Sequence, residues 1–175
     1  MGDVPASRRF LSVLVELCDK HSLAYWRVWA GCFSAALSAT GQASARALTL
    51  NTKQRDQLCT IAETAVDPDS VARAEAGQVP WAAPEILRAR GVALLRQGLV
   101  AKAEAILLRS RELARAQNAL SWELRTVTSL ARLWREQGRE VEARDSLQQV
   151  LGRFTEGLTT ADPSAARRLL DDLGG

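Results

Sequence analysis

At 175 residues, with 47% hydrophobic and 25% charged residues, the chain has the size and composition of one ordinary globular domain with a real core, which argues against disorder and against a membrane protein. Its 23 Lys+Arg against 20 Asp+Glu leave +3, too little by itself to imply a nucleic-acid partner. Only Lys20, Lys53 and Lys102 are lysines, so the positive charge is almost all guanidinium, whose planar fork suits carboxylates and phosphates.

No apolar run approaches the roughly 20 residues of a bilayer-spanning helix. Met1-Gly2-Asp3-Val4-Pro5 lacks the basic start and apolar centre of a secretory signal, so a cytoplasmic location without membrane attachment is expected. Cys18, Cys32 and Cys59 are odd in number, far apart and without Cys-x-x-Cys spacing, which predicts reduced, buried thiols and no zinc site. His21 is the lone histidine, beside Lys20, and reads as a helix-end or exposed residue. No phosphate-binding glycine loop, dinucleotide fingerprint or nucleophile elbow occurs, so no enzyme activity, cofactor or metal is expected.

Alanine, leucine and arginine dominate and apolar positions recur at helical spacing. The first predicted helix spans about Ser7 to Lys20, with Phe10, Leu11, Leu14, Val15 and Cys18 on one face. A second covers about Ser22 to Ala39 and stops at Thr40-Gly41, a third about Ala43 to Leu50, and a fourth about Lys53 to Ala65 with Leu58, Ile61, Ala62 and Ala65 inward. Val66-Asp67-Pro68-Asp69-Ser70 forms a turn, with Asp69 or Ser70 capping a short helix that ends near Gly77; Asp67, Asp69 and Glu63 lack the spacing of a calcium loop. Pro80 and Pro84 interrupt the chain before helices at about Pro84 to Gln97, Ala101 to Gln117, Leu120 to Gln137, Glu140 to Phe154, and from Asp162 to before Gly174.

The second half repeats. A shift of 40 positions brings Gln97-Gly98 onto Gln137-Gly138, Gly91 onto Ala131, Ala103 onto Ala143, Leu107 onto Leu147, Leu87 onto Val127 and Leu94 onto Trp134. Small residues recur where two helices must approach and a glycine recurs at each turn, the logic of tetratricopeptide-type helix pairs of about 34 residues. The longer period predicts a longer link between pairs. Trp26, Trp29, Trp122 and Trp134 read as residues wedged between helices, although Trp26, Trp29 and Trp134 would also serve a small-ligand pocket.

In such a stack the first helix of each pair lines the concave face, which predicts Arg88, Val92, Leu95 and Arg96 from one repeat and Arg125, Thr128, Arg132 and Arg135 from the next as partner-binding residues. Their forks suit an acidic peptide or a phosphate. The interleaved Glu85, Glu104, Glu112, Glu123, Glu136, Glu140 and Glu142 leave open the alternative of surface ion pairs worth little.

Beyond this generic character, Trp81-Ala82-Ala83-Pro84-Glu85-Ile86-Leu87-Arg88, Ser121-Trp122-Glu123-Leu124-Arg125, Ser129 to Trp134, Gln137-Gly138-Arg139 with Glu142-Ala143-Arg144, and Phe154-Thr155-Glu156-Gly157 with Thr160-Ala161-Asp162 are similar to segments of one group. The chain resembles the C-terminal tetratricopeptide-like repeat region of large bacterial signalling ATPases, in which a winged-helix transcription regulator or an adenylate cyclase domain precedes an AAA-type ATPase module. The resemblance is dense over a little more than half the chain and loose over Trp26 to Gly41. The ATPase, cyclase and DNA-binding modules are missing, and Gly41 to Asp67 is short for a full repeat. It therefore implies a regulatory or interaction role, with an ATPase or winged-helix regulator among the partners, and transfers no catalytic residue.

The resulting expectation is an all-α fold: a short α-solenoid in one domain over 1–175, with an N-terminal cap and degenerate repeat over 1–79, two helix pairs over 80–155 and a capping helix over 156–175. The expected function is non-catalytic protein or peptide binding. The alternatives are a nucleic-acid-binding helical protein and a small-ligand sensor domain of a transcriptional regulator; the interleaved glutamates and the want of an aromatic beside the arginine stripe disfavour nucleic acid.

Overall fold

The computed structural model describes residues 4–37 and 50–174. Helical spacing, few β-branched residues and no alternating stretch give an all-α structure, with no strand among the described residues. The helices are α1 (Val4–Lys20), α2 (Ala24–Leu37), α3 (Thr52–Ile61), α4 (Pro68–Glu75), α5 (Ala83–Arg96), α6 (Val100–Ala116), α7 (Leu120–Glu136), α8 (Glu140–Leu151) and α9 (Ala161–Asp172), with a 3-10 turn at Glu63–Ala65. The stop at Thr40-Gly41 and the helix over Ala43 to Leu50 lie, apart from Leu50 itself, outside the described residues. The chain divides into two compact units at Ser70/Val71.

In the first unit α1 packs on α2 and α2 on α3. Trp29, Cys32, Leu58 and Ala62 form its buried cluster, bordered by Ala36, Leu50, Ile61 and Ala65. Asn51 starts α3 with a reciprocal cap: its side chain accepts from Gln54 N–H at 3.0 Å and the Gln54 side chain accepts from Asn51 N–H at 3.0 Å. The cap of α4 is Asp67 and not Asp69 or Ser70 alone: the Asp67 carboxylate accepts from Ser70 N–H at 2.7 Å while Ser70 Oγ accepts from Asp67 N–H at 3.1 Å. Two expectations for this unit need correcting. Phe10 is 67% exposed and Trp26 51% exposed, because the inward stripe of α1 is centred on Cys18 and that of α2 on Trp29, Ala30, Cys32 and Ala35.

In the second unit each helix packs on the next from α5 to α9, α5 also lies against α7, and α9 lies against both α7 and α8. The links Gln97–Leu99, Gln117–Ala119 and Gln137–Arg139 are three residues each, which forces packed neighbours to run antiparallel. Each link carries one left-handed residue, Gly98 (φ 74°), Asn118 (φ 54°) or Gly138 (φ 74°). There the helix end closes on itself: Leu99, Ala119 and Arg139 N–H donate to the carbonyls of Leu94, Ala114 and Trp134 at 2.8–3.0 Å. These left-handed positions fall at 98, 118 and 138, so every helix-plus-turn occupies 20 residues and the pair occupies 40. The expected longer link between pairs is absent. The period exceeds 34 because α6 and α7 are each 17 residues long.

Ala103, Leu107, Ala143 and Leu147 are fully buried, as the shift of 40 requires. A Cβ on Gly91 would stand 2.6 Å from Leu107 Cγ, so α5 and α6 touch there only because the residue is glycine. Leu124, Val127, Leu130, Ala131, Trp134, Val150, Ala166, Leu169 and Leu173 continue one core through α7, α8 and α9. Two buried hydroxyls sit within it: Ser110 donates to the Pro84 carbonyl at 2.7 Å, which leaves Thr126, 2.9 Å away, to donate to Ser110.

Candidate functional site: arginines of α5, α7 and α9

The eight residues expected to line one face divide in two. Arg88 is buried and makes a two-pronged contact with buried Glu85, Nε to Oε2 at 2.9 Å and Nη2 to Oε1 at 2.7 Å. Arg125 Nη1 reaches the same carboxylate at 2.8 Å, so Glu85 joins α5 to α7. Thr128 is buried and donates to the Leu124 carbonyl at 2.7 Å. Val92 and Leu95 are half-buried, and Leu95 packs against the core. Arg96, Arg132 and Arg135 are exposed. Arg88 and Thr128 thus stand within the packed structure, and the exposed arginines of the eight are Arg96, Arg132 and Arg135.

Arg125 and Arg135 also mark the register of the last helix, which the buried Ala166, Leu169 and Leu173 hold against the core. Arg125 Nε lies 3.7 Å from Asp162 Oδ2 at the start of α9, and Arg135 Nη1 lies 3.6 Å from Asp172 Oδ2 at its end. The two contacts are ten residues apart on both helices, so α9 runs parallel to α7 and in step with it, over about 15 Å. Arg144 Nη2 donates to the Leu173 carbonyl, which ties α8 to the end of α9. Along this register Arg132 and Arg168 come to the same level. They line one open depression of about 420 Å³ together with Arg135, Ala165, Leu169, Asp171 and Asp172. Neither Arg132 nor Arg168 has a partner for its guanidinium among the described residues.

Arg168 was absent from the sequence-based site. Its helical spacing with Ala165, Asp171 and Asp172 was visible, but only the parallel packing of α9 on α7 brings it to Arg132. A second arginine–carboxylate centre also escaped that reading: Glu123, fully buried, accepts from Arg115 Nε and Arg153 Nη1 at 2.5 Å each, and Arg115 Nη2 donates to Gln149 at 2.9 Å. A third joins α6, α7 and the following turn through Glu104, Trp134 and Arg139. These three centres cross between helices, while Arg139 and Glu142, 2.7 Å apart and half-exposed, form a local surface pair of the kind the interleaved glutamates suggested.

Trp29 and Trp134 belong to separate cores, one in each unit. Cys18, Cys32 and Cys59 are all buried and none is in a disulfide, and burial pushes the Cys32 thiol above its ordinary pKa. His21 is exposed in the turn after α1, its N–H donating to the Leu17 carbonyl at 3.0 Å. Among the described residues no helix is long and apolar enough to cross a membrane, and no cluster of His, Cys, Asp or Glu has the grouping of a metal site.

No protein-family model, curated protein or solved structure matches this chain.

Proposed function

We propose that the chain is a non-catalytic interaction module, a short solenoid of tetratricopeptide-like helix pairs that binds an acidic protein or peptide through the arginines of α5 and α7. The observation that carries this reading is the pairing of α5 with α7, the first helices of successive pairs, with Arg96, Arg132 and Arg135 exposed on them. Glu85 supports the same surface from beneath, because a buried carboxylate holding both Arg88 and Arg125 fixes the two helices against each other. Guanidinium forks held by a packed framework lose less freedom on binding a carboxylate than forks on a loop.

The resemblance to the repeat regions of signalling ATPases supports a regulatory setting, with an ATPase or winged-helix regulator as the partner. Three buried thiols outside any disulfide suit a reducing, cytoplasmic compartment. The test is affinity capture from source-cell lysate on the purified chain, with and without nuclease and at low and high salt. Recovery of the same few proteins after nuclease is the expected result. Recovery that vanishes with nuclease, and falls steeply with salt on random duplex, would overturn the reading in favour of nucleic acid.

A further inference from the structure

We propose that the depression between α7 and α9 is the anchoring subsite of this module, and that it takes one carboxylate of an acidic peptide between Arg132 and Arg168. This rests on the interaction-module reading and names the chemistry of the partner.

Three observations carry it. The first is that Arg132 and Arg168 come from different helices, line the same cavity and have no intramolecular partner among the described residues, whereas Arg88 and Arg125 are held by Glu85. Asp171 and Asp172 line the same cavity, but neither engages Arg132 or Arg168 among the described residues, so both forks remain open to a carboxylate from outside. The second is that the walls are fixed. Helix α9 packs against both α7 and α8 through Ala166, Leu169 and Leu173, the Arg144 contact to Leu173 joins its end to α8, and the longer Arg125–Asp162 and Arg135–Asp172 pairs mark its register. Arg132 lies seven residues along from Arg125 and Arg168 six along from Asp162, about 10 Å from that end on either helix.

The third is the charge around the cavity. Arg135 is already engaged with Asp172, and the remaining Arg132, Arg168 and Asp171 leave one net positive charge. A monoanionic carboxylate neutralises it, while a phosphate dianion would leave an excess negative charge beside Asp171 and Asp172. Ala165 is the accessible apolar part of the lining, Leu169 being buried in the core, so an acidic side chain on a peptide with small or aliphatic neighbours fits beside it.

The test uses the full chain labelled with nitrogen-15 and observes the arginine Nε–H signals. It is titrated with acetyl-Ala-Leu-Glu-Leu-Ala-amide, with the same peptide carrying Gln for Glu, and with one carrying phosphoserine for Glu. Saturable shifts at Arg132 and Arg168 with the Glu peptide are expected. About tenfold weaker binding is expected for the Gln peptide and for Arg168→Gln, as for the loss of a charge-assisted hydrogen bond. Arg168 is exposed, so circular dichroism of that variant should match the parent. No shift at either arginine, equal shifts with the Gln peptide, or tighter binding of the phosphoserine peptide would each overturn the proposal. A captured protein partner whose binding survives Arg132→Gln with Arg168→Gln but is lost with Arg96→Glu would also overturn it, and would leave the interaction-module reading standing.

Discussion

Trp134 Nε1–H donates to Glu104 Oε1 at 2.8 Å, so the largest side chain of the α7 core is fastened to α6 by a carboxylate. Arg139 Nη1 donates to the same oxygen at 2.6 Å and its guanidinium lies 5.2 Å from the centre of the Trp134 ring. The next turn of the chain thus closes over the indole.

This arrangement predicts a pH dependence. Burial pushes the Glu104 carboxyl up, but the hydrogen bonds from Trp134 and Arg139, with the charge of Arg139, together outweigh it and hold it below the usual carboxylate range. A carboxyl with a lower pKa folded than unfolded stabilises the fold above the unfolded value of about 4.3, and that contribution is lost as pH falls through the folded value. Glu104→Gln should cost about 1–2 kcal/mol at pH 7 and narrow the gap to the parent in acid. Urea unfolding at pH 7 and pH 3.5 reads this directly. A gap that stays constant between the two would contradict the linkage.

Gly91→Ala should destabilise the second unit despite the better helix propensity of alanine. The added methyl meets Leu107 Cγ at 2.6 Å and Cδ2 at 2.8 Å, deep in the α5–α6 contact. Overpacking of about 1–3 kcal/mol opposes a propensity gain of about 1 kcal/mol. Thermal denaturation that shows a more stable variant would mean that Leu107 moves aside at little cost.

Glu123→Ala removes a fully buried carboxylate from between two arginines whose side chains are 40% and 44% exposed. Those arginines can rehydrate, so the loss should be about 1–3 kcal/mol rather than the larger cost of stranding a buried cation. Arg153→Ala should cost less, since Arg115 still faces the carboxylate. Denaturant midpoints of the two variants give the order, and a costlier Arg153→Ala would refute it.

Cys32 is fully buried and its thiol pKa is raised by desolvation, so little thiolate forms and reagent cannot reach it. Iodoacetamide at pH 8, followed by peptide mass mapping, should label Cys32 at least about tenfold more slowly in native than in unfolded protein. Equal rates would mean that the α2–α3 packing opens readily.

Local chemistry made the second unit legible in the sequence. Proline before α5, glycine after α5 and α7, and buried small residues 40 apart are each visible in the chain, and the helix bounds agree within a few residues. Asn118 was the missing sign: a third left-handed turn without glycine, which explains why a 20-residue unit read as a 40-residue period. The first unit was harder, because Phe10, Val13 and Leu17 continue an apolar stripe on α1 yet remain exposed, and periodicity does not say which part of a stripe is covered. At the site, helical spacing identified the α7 arginines but not their partners. Glu85 lies in another helix from Arg125 and Asp162 in a third, and pairing between helices is a property of packing.

The most direct test of the central claim is comparative capture from nuclease-treated lysate, with the parent chain and the Arg96→Glu, Arg132→Glu, Arg135→Glu triple variant as baits and recovered proteins quantified by mass spectrometry. The three side chains are exposed, but Arg135→Glu also gives up the Arg135–Asp172 contact at the end of α9, so circular dichroism and the melting temperature of the variant are matched to the parent before capture, and Arg96→Glu with Arg132→Glu alone serves as a second bait. Specific partners should be depleted by about tenfold or more on the triple variant, as expected when like charges replace charge-assisted contacts. The same proteins recovered in equal amounts on all the baits would contradict the claim that the arginine face of α5 and α7 carries the interaction.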